Sequence, residues 1–217
     1  MTAPRTDNRL RRGNETRRLV LSRATALASV EGLEGLSLGR LAAELGLSKS
    51  GVFALFGSKE ELQLAAVRAA REVYFDHVVR PPRELPPGIA RVWRLCEGWL
   101  EYSRSRVFPG GCFFLAVAAE FDARTGPVHD LVAEARLEWI TYVEITVEKA
   151  RGAGQLRADL DVPLLAFELI ALMESGNLHS VLFDDASAYT KAGTAVLARL
   201  RAVASAEAPP LPARFGD

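Results

Sequence analysis

Apolar residues recur at three- and four-residue intervals along most of the chain, and the intervals end at glycines and prolines. Val20, Ala24, Leu27 and Ala28 share one helical face, opened by Thr16-Arg17 and stopped by Gly32. Leu38, Leu41, Ala42 and Leu45 follow at i, i+3, i+4 and i+7, the stripe of a short amphipathic helix. Ser37 stands ahead of that stripe as an N-cap, its hydroxyl able to accept from an orphan backbone N–H. Gly46 closes it, because glycine takes the positive φ of a helix C′ position without a Cβ clash. Ser48 opens the next helix, predicted over 48–55 with Val52 and Leu55 on its buried side. A third start lies at Ser58-Lys59-Glu60-Glu61, a capping box with Ser58 as cap and Glu61 reaching back.

The same period continues to the C-terminus. The capped helix is expected to run to about Val79, where Pro81-Pro82 and Pro86-Pro87-Gly88 break it. Further helices are predicted over 89–105, with Ile89, Val92, Trp93, Cys96, Trp99 and Leu100 on one side, and over 112–121 after Pro109-Gly110-Gly111. A long helix follows over 127–151, with Leu131, Ala135, Trp139, Tyr142, Val143 and Val147 at helical spacing. The last two are predicted over 162–183 and 188–204, and Pro209-Pro210-Leu211-Pro212 reads as a frayed tail. Without any alternating strand pattern, the expected fold class is all-α. Leu164, Leu165, Phe167, Leu169, Ile170, Leu172 and Met173 cover nearly the whole circumference of the 162–183 helix. Such a helix must be buried on all sides, one face in its own core and the other against an outside partner. Ala188, Ala192, Gly193 and Ala195 would let another helix approach the last one closely.

Two short helices joined by a tight turn, with Ala42 where they cross, Gly46 at the turn and Val52 beyond it, match the bacterial helix-turn-helix pattern. With the preceding helix from Thr16 and the Phe56-x-x-Lys59-x-x-Leu62 segment after it, residues 16–62 resemble the tetracycline-repressor (TetR) family of one-component regulators. The resemblance implies a DNA-binding head over residues 1–62 and a helical effector-binding and dimerisation domain over 63–217. It implies a homodimer through the last two long helices, about 162–204, and two recognition helices roughly 34–36 Å apart, or a multiple of that, on a pseudo-palindrome. It also implies repression of transcription relieved by a small-molecule effector. Phe53-Ala54-Leu55-Phe56 departs from the family's usual aromatic-x-His-Phe run, so two expected phosphate contacts are missing. Gly39 replaces a common polar residue at a cost of about 1 kcal/mol in helix propensity.

Charge sharpens this reading. The chain of 217 residues carries 27 basic and 27 acidic side chains, a net charge of zero. Residues 1–59 nevertheless hold ten Arg or Lys against five acids, a balance of +5. A basic head on an acidic body suits double-stranded DNA, since phosphate neutralisation supplies most non-specific affinity. The alternative, a solvated basic tail, explains the charge alone but not the adjacent helix-turn-helix. The polar, Arg-rich N-terminus lacks the apolar stretch of a secretory peptide. The longest apolar run, Leu164 to Met173, is about half what a bilayer requires and contains Glu168. Two cysteines make no disulfide framework, and the expected location is cytoplasmic, with no membrane partner.

For DNA contact the candidates are Ser37, Ser48, Lys49, Ser50, Gly51, Phe53, Lys59 and Arg12. Lys49 and Ser50 reach base edges, Gly51 permits close backbone approach, and Phe53 offers an apolar edge to a thymine methyl. Ser37 and Lys59 lie at helix N-termini, where amides and the dipole favour phosphate. Arg9, Arg11 and Arg12 are expected as a flexible minor-groove arm. For the effector the candidates are Trp93, Cys96, Trp99, Phe114, Val117, Trp139, Tyr142, Met173 and Asn177. All but Met173 and Asn177 lie in the 93–142 stretch that holds about half the aromatic residues, with Glu120, Glu174, Asn177 and His179 as polar anchors; a hydrophobic or aromatic molecule fits such a lining. An ordinary aromatic core explains each ring equally well. Cys112, at a helix start after two glycines, is a candidate redox thiol against the commoner buried hydrophobe. Neither a cofactor nor a metal is called for: there is no glycine-rich phosphate loop and no His cluster. The pairs Glu120/Asp122 and Asp184/Asp185 leave an enzyme as one rival reading. A helical protein-interaction module that has lost ordinary operator binding is the other.

Overall fold

The computed structural model describes residues 5–216, with side chains from residue 11 onward. The chain there forms α1 (Arg5–Glu31), α2 (Leu38–Glu44), α3 (Lys49–Phe56), α4 (Lys59–Tyr74), α5 (Ile89–Arg104), α6 (Phe113–Phe121), α7 (Pro127–Gly152), α8 (Val162–Phe183) and α9 (Ser187–Val203). A π-helical turn, Phe75–Val79, and a 3-10 turn, Pro81–Glu84, follow α4. The fold is all-α; two isolated bridges, Phe108 to Gly111 and Leu156 to Ala204, are the only β-type pairings among the described residues. No helix among them is long and apolar enough to cross a membrane. Two compact units result, one comprising residues 1–72 with 108–132, the other 73–107 with 133–217.

In the first unit, Val20, Ala24 and Ala28 of α1 are fully buried, together with Leu33, Leu41, Val52 and Leu62. Helix α1 begins at Arg5 rather than near Thr16, so the stretch expected as a flexible arm is helical. Local bonds carry the helix through it: the Thr16 hydroxyl donates to the Arg12 carbonyl at 2.8 Å, and Arg11 pairs with Glu15 at 3.9 Å one turn on. Arg12 is exposed. The side chain of Arg9 lies outside the described residues. Helix α6 buries Phe113, Phe114, Val117 and Phe121 and lies against α1. Its Glu120 carboxylate accepts from the Leu33 N–H at 2.7 Å and the Glu34 N–H at 2.8 Å, just past the end of α1 at Gly32. Glu120 is thus engaged by the backbone N–H groups that follow α1.

In the second unit, α5 meets α8 and α9, burying Trp99, Leu100, Leu165, Leu169, Met173, Leu197 and Leu200. A polar network runs through this apolar interior. The Ser103 hydroxyl donates to Asn177 Oδ1 at 2.5 Å and lies 2.8 Å from the Tyr189 hydroxyl. Arg106 donates to the same Tyr189 hydroxyl at 3.1 Å and to Ser180 Oγ at 3.2 Å. Buried hydroxyls and amides need such partners, because each left unmatched costs about 1–3 kcal/mol. Helices α8 and α9 cross at Gly176, where a Cβ would stand 2.7 Å from Ala192 Cβ.

Two expectations change here. The small residues Ala188, Ala192 and Gly193 are buried within the chain, against α8 and the C-terminal segment, so the close approach they permit is internal. That segment is docked rather than frayed: Phe215 packs on Gly193 with its ring 6.3 Å from Trp93, and the Arg201 guanidinium donates to the Ala213 carbonyl at 3.0 Å. Helix α8 buries Leu165, Leu169 and Met173 in the chain's own core and leaves its other side open: Leu164, Phe167, Leu178, Leu182 and Phe183 stand at 50–71% exposure.

Candidate functional site

Local capping builds the exposed face of α3. Ser37 in extended conformation caps α2, its Oγ accepting from the Arg40 N–H at 3.4 Å. Gly46, with φ of +65°, turns the chain, and the Leu47 N–H closes back on the Ala42 carbonyl at 2.8 Å. A residue with a Cβ would be strained there by roughly 1–2 kcal/mol. Ser48 then caps α3 through the Gly51 N–H at 3.1 Å. Gly51 makes room for that cap, since a Cβ would come within 2.8 Å of Ser48 Oγ.

Val52 and Phe56 are the buried side of α3. Leu55, expected beside Val52, is only half-buried. Its carbonyl accepts from Arg17 Nη1 at 2.7 Å, and the same guanidinium lies 4.5 Å above the Phe56 ring, so α1 fixes the end of α3. Lys49, Ser50, Gly51 and Phe53 are left on the outer face. Gly39 lies beside Lys49: a Cβ there would make ordinary contact with Lys49 Cε at 3.7 Å, so nothing in the packing requires the glycine. Half of the Ser58 capping box forms, with the Glu61 N–H donating to Ser58 Oγ at 3.1 Å, while the Ser58 N–H goes to the Phe56 carbonyl instead of the Glu61 side chain.

Beside α3 lies an open concavity of about 480 Å³, lined by Glu34 to Gly39, Lys49, Phe53 and Lys59. Of its two lysines Lys59 is paired, and so are two arginines of the same unit outside the lining. Lys59 Nζ donates to the Glu34 carbonyl at 2.6 Å and to Glu34 Oε2 at 3.0 Å. Arg40 bridges Glu31 and Glu44, and Arg23 meets Glu44 at 2.7 Å. Sequence alone did not point to Glu34, because Lys59 and Gln63 lie 25 and 29 residues from it and Glu120 lies 86 away.

These pairs hold carboxyls below the ordinary glutamate value of 4.5: Glu44 chiefly through its bond from Arg23, Glu31 through Arg40, Glu34 through Lys59. A depressed folded-state pKa stabilises the fold above the unfolded pKa, and the contribution disappears as pH falls through the folded value. Thermal stability of the first unit is therefore expected to be level above about pH 5 and to decline below the glutamate range. Circular dichroism melts check this; a melting temperature that rises on acidification would contradict it.

The expected effector residues are divided between the units. Trp93, Cys96, Trp99, Trp139, Met173 and Asn177 are buried in the second, where Tyr142 is half-buried; Phe114 and Val117 are buried in the first. Trp139 sits edge-on to Tyr74, ring centroids 5.4 Å apart, and Tyr74 meets Tyr102 in the same way. The Trp139 indole N–H is buried with no acceptor among the described residues. Glu174 pairs with Arg136 at 2.5 Å, Asn177 belongs to the Ser103 network, and His179 is exposed with Nδ1 2.9 Å from the Ser175 carbonyl. A second concavity, about 410 Å³ between Glu144 and Pro163, contains none of these residues. Burial pushes the Cys96 thiol up to about 12, away from the thiolate that redox chemistry needs. Cys112 is 1% exposed.

Two family models match: "Bacterial regulatory proteins, tetR family" over residues 20–66 and "Tetracyclin repressor-like, C-terminal domain" over residues 88–196. No curated protein matches the sequence. Among solved structures, a TetR transcriptional regulator from Chloroflexus aurantiacus is 26% identical, covering 89% of this chain and 98% of its own, at a TM-score of 0.82. A putative transcriptional regulator from Saccharomonospora viridis, solved in complex with choline, is 22% identical over 88% of this chain and 99% of its own, at 0.75. AibR, solved with isovaleryl coenzyme A and operator DNA, is 18% identical over 75% of this chain and 85% of its own, at 0.63.

Proposed function

The chain belongs to the TetR family of bacterial regulatory proteins, and from that premise we propose that it is a homodimeric, ligand-responsive repressor of transcription. In this reading residues 1–62 bind a pseudo-palindromic operator, and residues 63–217 dimerise and take up a small hydrophobic or aromatic effector. The observation that carries it is the outer face of α3: Lys49, Ser50, Gly51 and Phe53 stand exposed on a helix capped at its start by Ser48 and fixed at its end by Arg17. A rigid helix presenting a cation, a hydroxyl, a bare backbone and an aromatic edge is what reading a major groove requires.

Dimerisation is supported by the uncovered apolar face of α8, an area that water would otherwise solvate at a cost. The proposed effector site draws on the buried aromatic cluster of the second unit, with the unmatched Trp139 N–H as a donor for one acceptor on the ligand. Choline and isovaleryl coenzyme A, seen in the two solved relatives, are the first molecules to try. Ligand would shift the population toward a dimer whose heads no longer fit adjacent grooves.

Selection of bound duplexes from a random pool, followed by titration of the selected site, tests the DNA reading. Lys49→Ala is expected to weaken the selected site by about 1–3 kcal/mol, more than it weakens random DNA. Equal losses on both would remove Lys49 from base reading. The pairing of Arg23, Arg40 and Lys59 with acids is the observation on the side of a regulator with weakened DNA binding, and failure to select any duplex would favour that alternative.

A further inference from the structure

We propose that Glu34 is a built-in brake on DNA affinity, withholding Lys59 from the phosphate backbone; the proposal rests on the DNA-binding reading above. Both residues line the concavity that also holds Ser37, Gly39, Lys49 and Phe53, so a phosphate approaching α3 by this route meets a carboxylate as well as an ammonium. Two of the three Lys59 donors are already spent on Glu34, at 2.6 Å to its carbonyl and 3.0 Å to Oε2. A lysine bearing its own counter-charge releases no counterion from DNA when it arrives.

An ordinary surface acid would swing aside. Glu34 is held at both ends. Its backbone N–H donates to Glu120 Oε1 at 2.8 Å, tying it to α6. Its Oε1 accepts from Gln63 Nε2 at 3.1 Å and lies 3.4 Å from Arg124 Nη1. Gln63 is 5% exposed, and its amide also donates to the Leu33 carbonyl at 3.0 Å, so the carboxylate is anchored from within the unit. Holding the acid in the groove leaves Lys49 as the one lining cation without an acid partner among the described residues, and sequence-independent attraction falls accordingly while contacts of α3 with bases are untouched.

Binding of full-length protein to a duplex of about 30 base pairs of random sequence tests this across a salt series, since no operator need be known. Glu34→Gln keeps the size and one accepting oxygen, enough for the bond from Gln63, while removing the charge and the second acceptor that holds Lys59. It should tighten binding by up to about eightfold at 0.1 M salt and about fourfold at 0.2 M, the log–log salt slope steepening by about 0.9. In a Lys59→Gln background the same change should gain less than about twofold, because the brake acts through the lysine. An unchanged slope in Glu34→Gln, or an equal gain with and without Lys59, overturns the brake. Should wild type and Glu34→Gln both fail to bind any duplex, the DNA-binding reading falls with it; wild-type binding with an unaltered variant sinks the brake alone. Glu34→Ala, with melting curves for each variant, provides a second charge-removing change if the glutamine unfolds the head.

Discussion

Phe167→Glu combined with Leu182→Glu is expected to turn the protein into a monomer and to abolish tight operator binding while leaving the fold intact. Both side chains project from α8 into solvent, at 71% and 67% exposure, so neither supports the chain's own core. In the proposed two-fold contact each substitution appears twice, placing four carboxylates where an apolar face would be sealed. Stripping an unpaired carboxylate of water costs several kcal/mol even after relaxation. A loss of roughly 4 kcal/mol or more corresponds to about a thousandfold in dissociation constant. Sedimentation at micromolar concentration should show one species of monomer mass, and the selected operator should bind only with half-site affinity. A variant that remained dimeric would move the interface off α8.

Gly110→Ala should be the most damaging single-methyl change in the first unit. The Gly110 N–H donates to Ser29 Oγ at 3.0 Å, and a Cβ there would lie 1.8 Å from the Ser29 carbonyl oxygen and 2.5 Å from its carbon. These are backbone atoms of α1, unable to rotate aside, so the loop before α6 must lift off the helix. Overpacking of this kind costs about 3 kcal/mol. For a protein of this size the melting temperature would drop by roughly 6–12 °C. Gly46→Ala makes the comparison: its φ of +65° is strained for alanine, yet no atom lies within 4 Å of the added methyl, and the loss should be roughly 1–2 kcal/mol. The reverse ranking of the two melting temperatures would show that backbone strain outweighs the contact at Ser29.

The helices, their caps and the turn at Gly46 were legible in the sequence because each rests on neighbours within four residues. Ser37 and Ser48 cap the helices they precede, and α5, α7, α8 and α9 begin and end within a residue or two of their predicted bounds. Local spacing also identified exposed residues of α3, since a helix that buries Val52 turns Ser50 and Phe53 off that face. It misjudged the start of α1, where i to i+4 bonds around Arg12 extend a helix with no apolar stripe to announce it.

What the sequence by itself determined was therefore the set of helices and the character of their faces. Tertiary structure alone decided the pairings. Glu120 reaches back 87 residues to cap the end of α1, Glu34 holds Lys59, and Ala192 and Gly193 serve internal contacts with Gly176 and Phe215 rather than a second subunit. A polar or small residue carries no mark of its distant partner: its chemistry names the kind of contact it can make, whereas only the folded path of the backbone brings one such group within reach of another.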